Sequence, residues 1–382
     1  VRKGGRMNRR ERLLATFQGK PVDRPAVCFY EIGGFSMKAD GDEFNVWNDP
    51  SWRPLVEIAH EKTDMIRFVS PVWKGEGVNC LDELTEKKTW CEGKSIFTRI
   101  AIKAPGRLLT SLTRRDNDLQ TIWILEHLLK NTDDIEAYLR LPEPPAGEID
   151  ITGMYEEEKC LGDSGIVSVE MADPLCETAG LMPMGEYTVI AMTKQVLFHR
   201  LLERFARIVL PRCEQVAEKF LGRLWRIAGS EYASEPYLPP RLYREYVVRY
   251  TGEIVKIIQK YGGYARIHSH GRLRNILPLI AEMEPDGLDP LEPPPQGDMS
   301  LAEIKDVIGK NTVLMGNIEA SDIENLNPQE FEKKVITALK EGTQGKGRGF
   351  ILHPSACPFG RTITCRTMGN YETMVRLAEE FH

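Results

Sequence analysis

Short apolar runs alternate with longer amphipathic stretches along nearly the whole chain. Leu13, Leu14 and Phe17 share one face of a helix over 8–18, and Gly19-Lys20-Pro21 ends it. Residues 25–30 read as a strand. A helix over 51–62 leads to a second strand, 64–69. Residues 70–118 break the rhythm: rich in Thr, Trp and charge, they read as a β-hairpin excursion with arms at 95–103 and 107–113. Helices are expected at 119–130 and 132–140, and PEPPAGE (142–148) is a loop. The alternation then resumes with helix 148–160 and strand 165–171. A long helical region follows over 187–220, which Pro211 should kink or divide. Strand 223–229, helix 240–260, strand 264–267 and helix 272–283 come next. Strands 286–291, 312–316 and 348–352 alternate with helices 300–308, 328–342 and 367–381.

Strands alternating with helices imply a parallel sheet with right-handed crossovers. Roughly eight such units in one chain imply an α/β fold, a (β/α)8 TIM barrel over 7–382 with an N-terminal helix. No G-x-G-x-x-G follows a strand, which excludes a dinucleotide fold. The basic start VRKGGRMNRRER lacks an apolar core segment, so it is no signal peptide. Residues 1–6 read as an extension or an artificial remnant.

Composition narrows the class. A 382-residue chain with 42% hydrophobic residues can bury a large core. A net charge of −6 gives no electrostatic footprint for nucleic acid. No apolar run approaches the length of a membrane span. The eight cysteines form no C-x-x-C pair, which suits free thiols in a reducing cytoplasm.

The run His268-Ser269-His270-Gly271 carries the chemistry. Side chains two apart on a strand point the same way, so both imidazoles can converge at a strand's carboxyl end. Barrels keep their active sites at that end. Paired imidazoles there suit a divalent metal or proton transfer, against one capping the helix and the other packing. Other polar residues just beyond the strands are Glu31, Ser70, Glu170, Glu231, Glu235, Asp289, Glu292, Asn317, Glu319, His353 and Cys357. His268 or His270 with Glu231 or Glu292 would make a His/carboxylate zinc site, and Cys357 would add a thiolate or stay a free loop cysteine. LEPPPQGD (291–298) forms a rigid loop presenting Glu292. Asn317 can bind a substrate carbonyl or cap the next helix. His60, His127 and His199 read as packed or surface histidines.

Several of these segments resemble one family. NRRERLLATFQGKPVDRP resembles the entry of uroporphyrinogen decarboxylase-like proteins, a helix followed by G-K-x-x-D-R-x-P. HSHGRLRNILPLIAEMEPDGLDPLEPPP resembles their His-x-Cys-Gly strand, and LMGNIEASDI and GFILHPSACPFG resemble their last two strand ends. The resemblance implies one (β/α)8 barrel and two chemistries. Decarboxylases of the family use no cofactor and bind propionates through R-Q-A-G-R soon after R-x-P. Here no arginine follows Arg24 in that stretch and Glu31 stands there instead, which disfavours a polycarboxylate. The other branch comprises zinc-dependent methyltransferases of corrinoid systems, including coenzyme M methyltransferases and methoxy-compound O-demethylases. Their zinc motif is His-x-Cys with a distant Cys. His268 matches the first ligand, His270 replaces the first Cys, and Cys357 lies near the last.

The expectation is therefore a zinc-dependent methyltransferase that moves a methyl group from a small methylated compound, a methoxy compound foremost, to a corrinoid-binding partner protein. Glu231, His268, His270, Glu292 and Asn317 are its candidate catalytic residues. His268, His270, Glu231 and Cys357 are its candidate metal ligands. A cofactor-free decarboxylase of a smaller acid is the alternative within the fold; Arg266, Arg272 and Arg361 offer charge for it but do not cluster along the chain. A non-catalytic binding barrel is the alternative outside enzymology.

Overall fold

The computed structural model describes residues 6–35, 42–75 and 77–381. The expected extension, residues 1–6, lies outside the described residues apart from Arg6. Strands β1 (Ala26–Val27) and β2 (Met65–Val69) open the barrel. An excursion follows with β3 (Val72–Lys74), β4 (Thr85–Glu92), β5 (Ser95–Ala104), β6 (Arg107–Asp116), β7 (Ile122–Glu126) and β8 (Glu148–Asp150). The barrel resumes with β9 (Gly165–Ala172), β10 (Leu224–Ala228), β11 (Tyr264–Ser269), β12 (Gly287–Pro290), β13 (Val313–Ile318) and β14 (Phe350–Pro354).

Eight strands pair in parallel in the order β1-β14-β13-β12-β11-β10-β9-β2, with helices in the crossovers. This is the α/β barrel expected from the alternation. Between β1 and β2, Asp64 joins the ends of the sheet. Its N–H donates to the Val27 carbonyl at 2.7 Å, and its Oδ2 accepts the Val27 N–H at 2.9 Å. Arg12 and Arg24 both pair with Asp64, and Arg12 also pairs with Asp23. The Asp-Arg of GKPVDRP is thus structural, a buried ion network at the amino-terminal face. Helix Arg9–Phe17, fixed by an Asn8–Glu11 capping box, places Leu13 and Phe17 against Ile66, Ile166, Leu224, Val313 and Ile351 and plugs that end.

Four expectations change. The excursion is larger than a hairpin: β4-β5-β6-β7 form a four-stranded antiparallel meander, and β3 pairs with β8. The segment expected as helix 119–130 contains strand β7. Ile122, Trp123 and Ile124 are β-branched or aromatic residues with strong strand preference, and pairing with β6 settles the matter. The region 187–220 breaks at Lys194, between helices Met184–Thr193 and Gln195–Lys219, and the second runs unbroken through Pro211. Strand β11 runs through Ser269, two residues past its expected end. His268 is therefore extended, and His270 lies immediately beyond the strand.

Candidate functional site

The barrel interior turns from apolar to charged along its axis. Above the Leu13–Phe17 plug, inward positions carry Glu170 on β9, Arg226 on β10, Arg266 and His268 on β11, Asp289 on β12 and His353 on β14. Parallel register places Arg226 beside Arg266, Arg226 beside Glu170, and His268 beside Asp289. Both guanidinium groups lie over the Phe68 ring, at 5.7 and 5.8 Å. The sequence offered no clustered arginines, because Arg226 and Arg266 lie forty positions apart. A charged residue in the middle of an otherwise apolar, buried strand (LWRIA, YARIHS) was the available signal.

The two histidines meet as their spacing suggests. Their ring centroids are 4.6 Å apart, with planes at 89°. Each is tied to a carboxylate from the next strand or its loop. His268 Nδ1 lies 2.8 Å from Asp289 Oδ2, and His270 Nδ1 lies 2.7 Å from Glu292 Oε1. Glu292 also accepts the Gly271 N–H at 2.6 Å, so the proline-rich loop clamps the turn after β11. Carboxylates on Nδ1 fix both rings and leave Nε2 as the free nitrogen.

The two imidazoles differ in charge. Burial, reinforced by Arg226, pushes His268 down to about 3 despite Asp289, so it is neutral at physiological pH. Asp289 is held ionised: burial opposes this, but Arg266 and His268 outweigh it. Burial would also lower His270, but the hydrogen bond and charge of Glu292, with Glu231, raise it. Glu231 sits in the turn after β10, half-buried, and accepts the Gly229 N–H at 3.1 Å. Burial pushes its carboxyl up. Gly229 has φ 135°, and a Cβ there would stand 2.1 Å from Asp173 Oδ1, so only glycine allows this turn.

Tyr30 and Asp173 were not foreseen. Tyr30 follows β1 with φ 56° and ψ −116°, a conformation bulky residues rarely take. Its ring stacks on His268 at 5.9 Å and meets His353 edge-on at 4.9 Å. Its hydroxyl and Glu170 both pair with Arg226. Asp173 is fully buried, accepts from Thr251 Oγ at 2.7 Å, and burial raises it to about 7.

Other candidates lie apart from this group. Cys357 donates to Glu31 Oε2 at 2.7 Å and lies 3.4 Å from Gln120 Oε1. Burial, with Glu31, pushes its thiol well up, so it stays protonated. Asn317 is half-buried and lines a cleft with Pro293, Pro294 and Asp322. Glu235 accepts from Asn275 on the exterior. Arg361 spends its guanidinium on the carbonyls of Glu43 and Asn117.

Among the described residues, no three His, Cys, Asp or Glu side chains converge as a ready cage for an ion. The chemistry of the histidine pair still fits one: two imidazoles with carboxylates behind Nδ1 and Nε2 free, one of them neutral. Glu231 acts electrostatically on His270 and is a carboxylate not bonded to either ring. Cys357, protonated and paired with Glu31, fits poorly.

The profile of the uroporphyrinogen decarboxylase (URO-D) family matches residues 184–376, just over half of the chain. No curated protein sequence matches this one. Among solved structures, a methyltransferase from Methanosarcina mazei is similar with a TM-score of 0.57 and 15% identity, over 98% of this chain and 99% of that one. The D-psicose 3-epimerase of Clostridium cellulolyticum H10, solved with D-tagatose, overlaps more loosely, with a TM-score of 0.36 and 8% identity over 65% of this chain and 93% of that one. The first likeness shows a fold shared from end to end.

Proposed function

Since the chain belongs to the uroporphyrinogen decarboxylase family, we propose that it works in the methyl-transfer branch of that fold, moving a methyl group from a small methylated compound, a methoxy compound foremost, to a corrinoid carried by a partner protein. The carboxylate-locked pair His268–His270 at the carboxyl ends of the strands is the observation that carries this reading.

His268, His270 and Glu231 would hold Zn2+ in this proposal. The ion supplies a Lewis acid that stabilises the negative charge left on oxygen when the C–O bond breaks. The chain's own residues do the rest. Asp289 and Glu292 engage Nδ1 of each ring, which leaves Nε2 free and restrains rotation. Low basicity keeps His268 from losing its lone pair to a proton near neutral pH. Glu292 and Glu231 favour the charged form of His270, and burial favours the neutral form of Glu231, so a metal binding there would displace protons from both. The methyl carbon must face outward, because its acceptor arrives on another protein.

The direct test is incubation of the zinc-replete protein with a reduced corrinoid protein and a panel of methoxy-aromatic and methoxy-aliphatic donors, followed by the absorbance of methylcobalamin. Methylcobalamin that depends on His268 is expected. None from any methylated donor would overturn the proposal.

A further inference from the structure

The barrel interior around His268 contains more hydrogen-bonding capacity than the chain uses. Among the described residues, Arg226 Nε, Arg266 Nε and Nη2, Ser168 Oγ, Glu170 Oε2, Asp289 Oδ1 and both ring nitrogens of His353 are buried and make no hydrogen bond of normal geometry. Arg266, His353, Asp289 and Ser168 have no exposed surface. Arg266 Nε is 3.1 Å from Asp289 Oδ1, a charge contact off the hydrogen-bond direction. Orphaned buried groups at this density are unusual, and each calls for a partner.

The unmet groups are mostly donors: three guanidinium N–H groups, a hydroxyl and one N–H of His353 face two carboxylate oxygens. Burial also pushes Glu170 up, which weakens the counter-charge to Arg226, while Asp289 stands against Arg266. A guest rich in acceptors and carrying one negative charge answers both conditions. The fork of a guanidinium suits a carboxylate in particular. Access comes from the Glu170 side. Its side chain is 28% exposed and that of its partner Arg226 12%, whereas Arg266 and His353 are fully covered.

We infer that Arg226, Arg266 and His353 form a binding subsite for a single carboxylate of a small acid, in the barrel interior beside Tyr30 and His268. That the acid is also the methyl donor rests on the methyl-transfer reading; the subsite does not. The donor class would then be methoxylated monocarboxylic acids, held by the acid group while the methoxy end faces the histidines.

The test is calorimetric binding at about pH 7.5 of 4-methoxybenzoate and methoxyacetate, each against its neutral amide. The acids should bind about tenfold or more tightly than the amides, and the preference should vanish in Arg226→Gln and shrink in His353→Gln. Equal binding of acid and amide by the wild-type protein overturns the subsite, and this comparison needs no variant to fold. A preference for the acid that survives in folded Arg226→Gln overturns it as well. Preferred acid binding with no methylcobalamin from any donor leaves the subsite standing and overturns methyl transfer. Methylcobalamin formed from a methoxy donor, with acid and amide binding equally, does the reverse.

Discussion

The ring of Tyr30 lies 14° from parallel to that of His268, with centroids 5.9 Å apart, while its hydroxyl is held by Arg226. One residue thus sets the plane of the neutral histidine and joins it to the charged wall. It does so from a backbone conformation that costs about 1–3 kcal/mol for a bulky residue. Such strain persists only where surrounding contacts enforce it. Tyr30→Phe should keep the stacking and lose about 1–2 kcal/mol from the unpaired Arg226. Tyr30→Ala should lose about 3–5 kcal/mol and weaken zinc binding too. Urea unfolding alongside zinc competition separates the two effects; equal zinc affinity in Tyr30→Ala and wild type would show that the stack does not orient His268.

Asp289→Asn should be the most damaging change near the site. It leaves Arg266 buried without its counter-charge, at about 3–5 kcal/mol, and weakens the hold on His268 Nδ1. Glu292→Gln should unfold the protein far less, because His270 is part-exposed, but should lower zinc affinity by about 10–100-fold. Chemical denaturation and zinc titration of the two variants check this ordering.

Zinc affinity should climb with pH and then level off. His270 is raised above the ordinary imidazole value by Glu292 and Glu231, against burial, and must lose its proton before the ring can bind a metal. The stability that the charged His270–Glu292 pair contributes has the opposite sense. It is complete below about pH 6.5, the unfolded value, and lost as pH rises through the folded value. Glu292→Gln should move the onset of zinc binding to lower pH, and an unmoved onset would count against this account.

Glu231→Gln should weaken zinc binding and abolish turnover, whereas Cys357→Ser should leave both near wild type. The thiol is engaged with Glu31 and protonated. Loss of zinc in Cys357→Ser with retention in Glu231→Gln would mean that a thiolate site, assembled by side-chain rearrangement, is the real one.

Asp173 should make the fold more stable as the solution is acidified. Burial raises its folded value to about 7, above an unfolded value of about 3.9. Its ionised form is therefore penalised above about pH 7, and the penalty, a few kcal/mol, is relieved as pH falls toward 4. Asp173→Asn keeps an oxygen acceptor for Thr251 and should flatten this part of the melting-temperature profile. An unchanged slope would assign it to another group.

Much of this was legible in the chain. The alternation of strand and helix led to the barrel because each parallel strand needs a crossover helix, and that grammar is local. The i,i+2 spacing of His268 and His270 led to their meeting because β11 is still extended at His268. Where tertiary pairing competes with local pattern, the reading failed. Ile122 to Leu125 can satisfy helix or strand spacing equally over so short a run, and only β6 decides. Lys194 breaks a helical region that its sequence would continue, while Pro211 sits inside a helix it should interrupt.

By itself the sequence determined the architecture, the position of the histidines at a strand end, and the poverty of cationic residues after Arg24. These depend on periodicity and on spacing within one element. Only the tertiary structure decided which carboxylate each histidine faces, that Cys357 belongs to Glu31, and that Arg226 lies beside Arg266 while Tyr30 joins Arg226 to His353. Those relationships join residues 21 to 326 positions apart. They are set by barrel register and by which face of each strand turns inward, and a shift of one residue would carry every side chain to the other side.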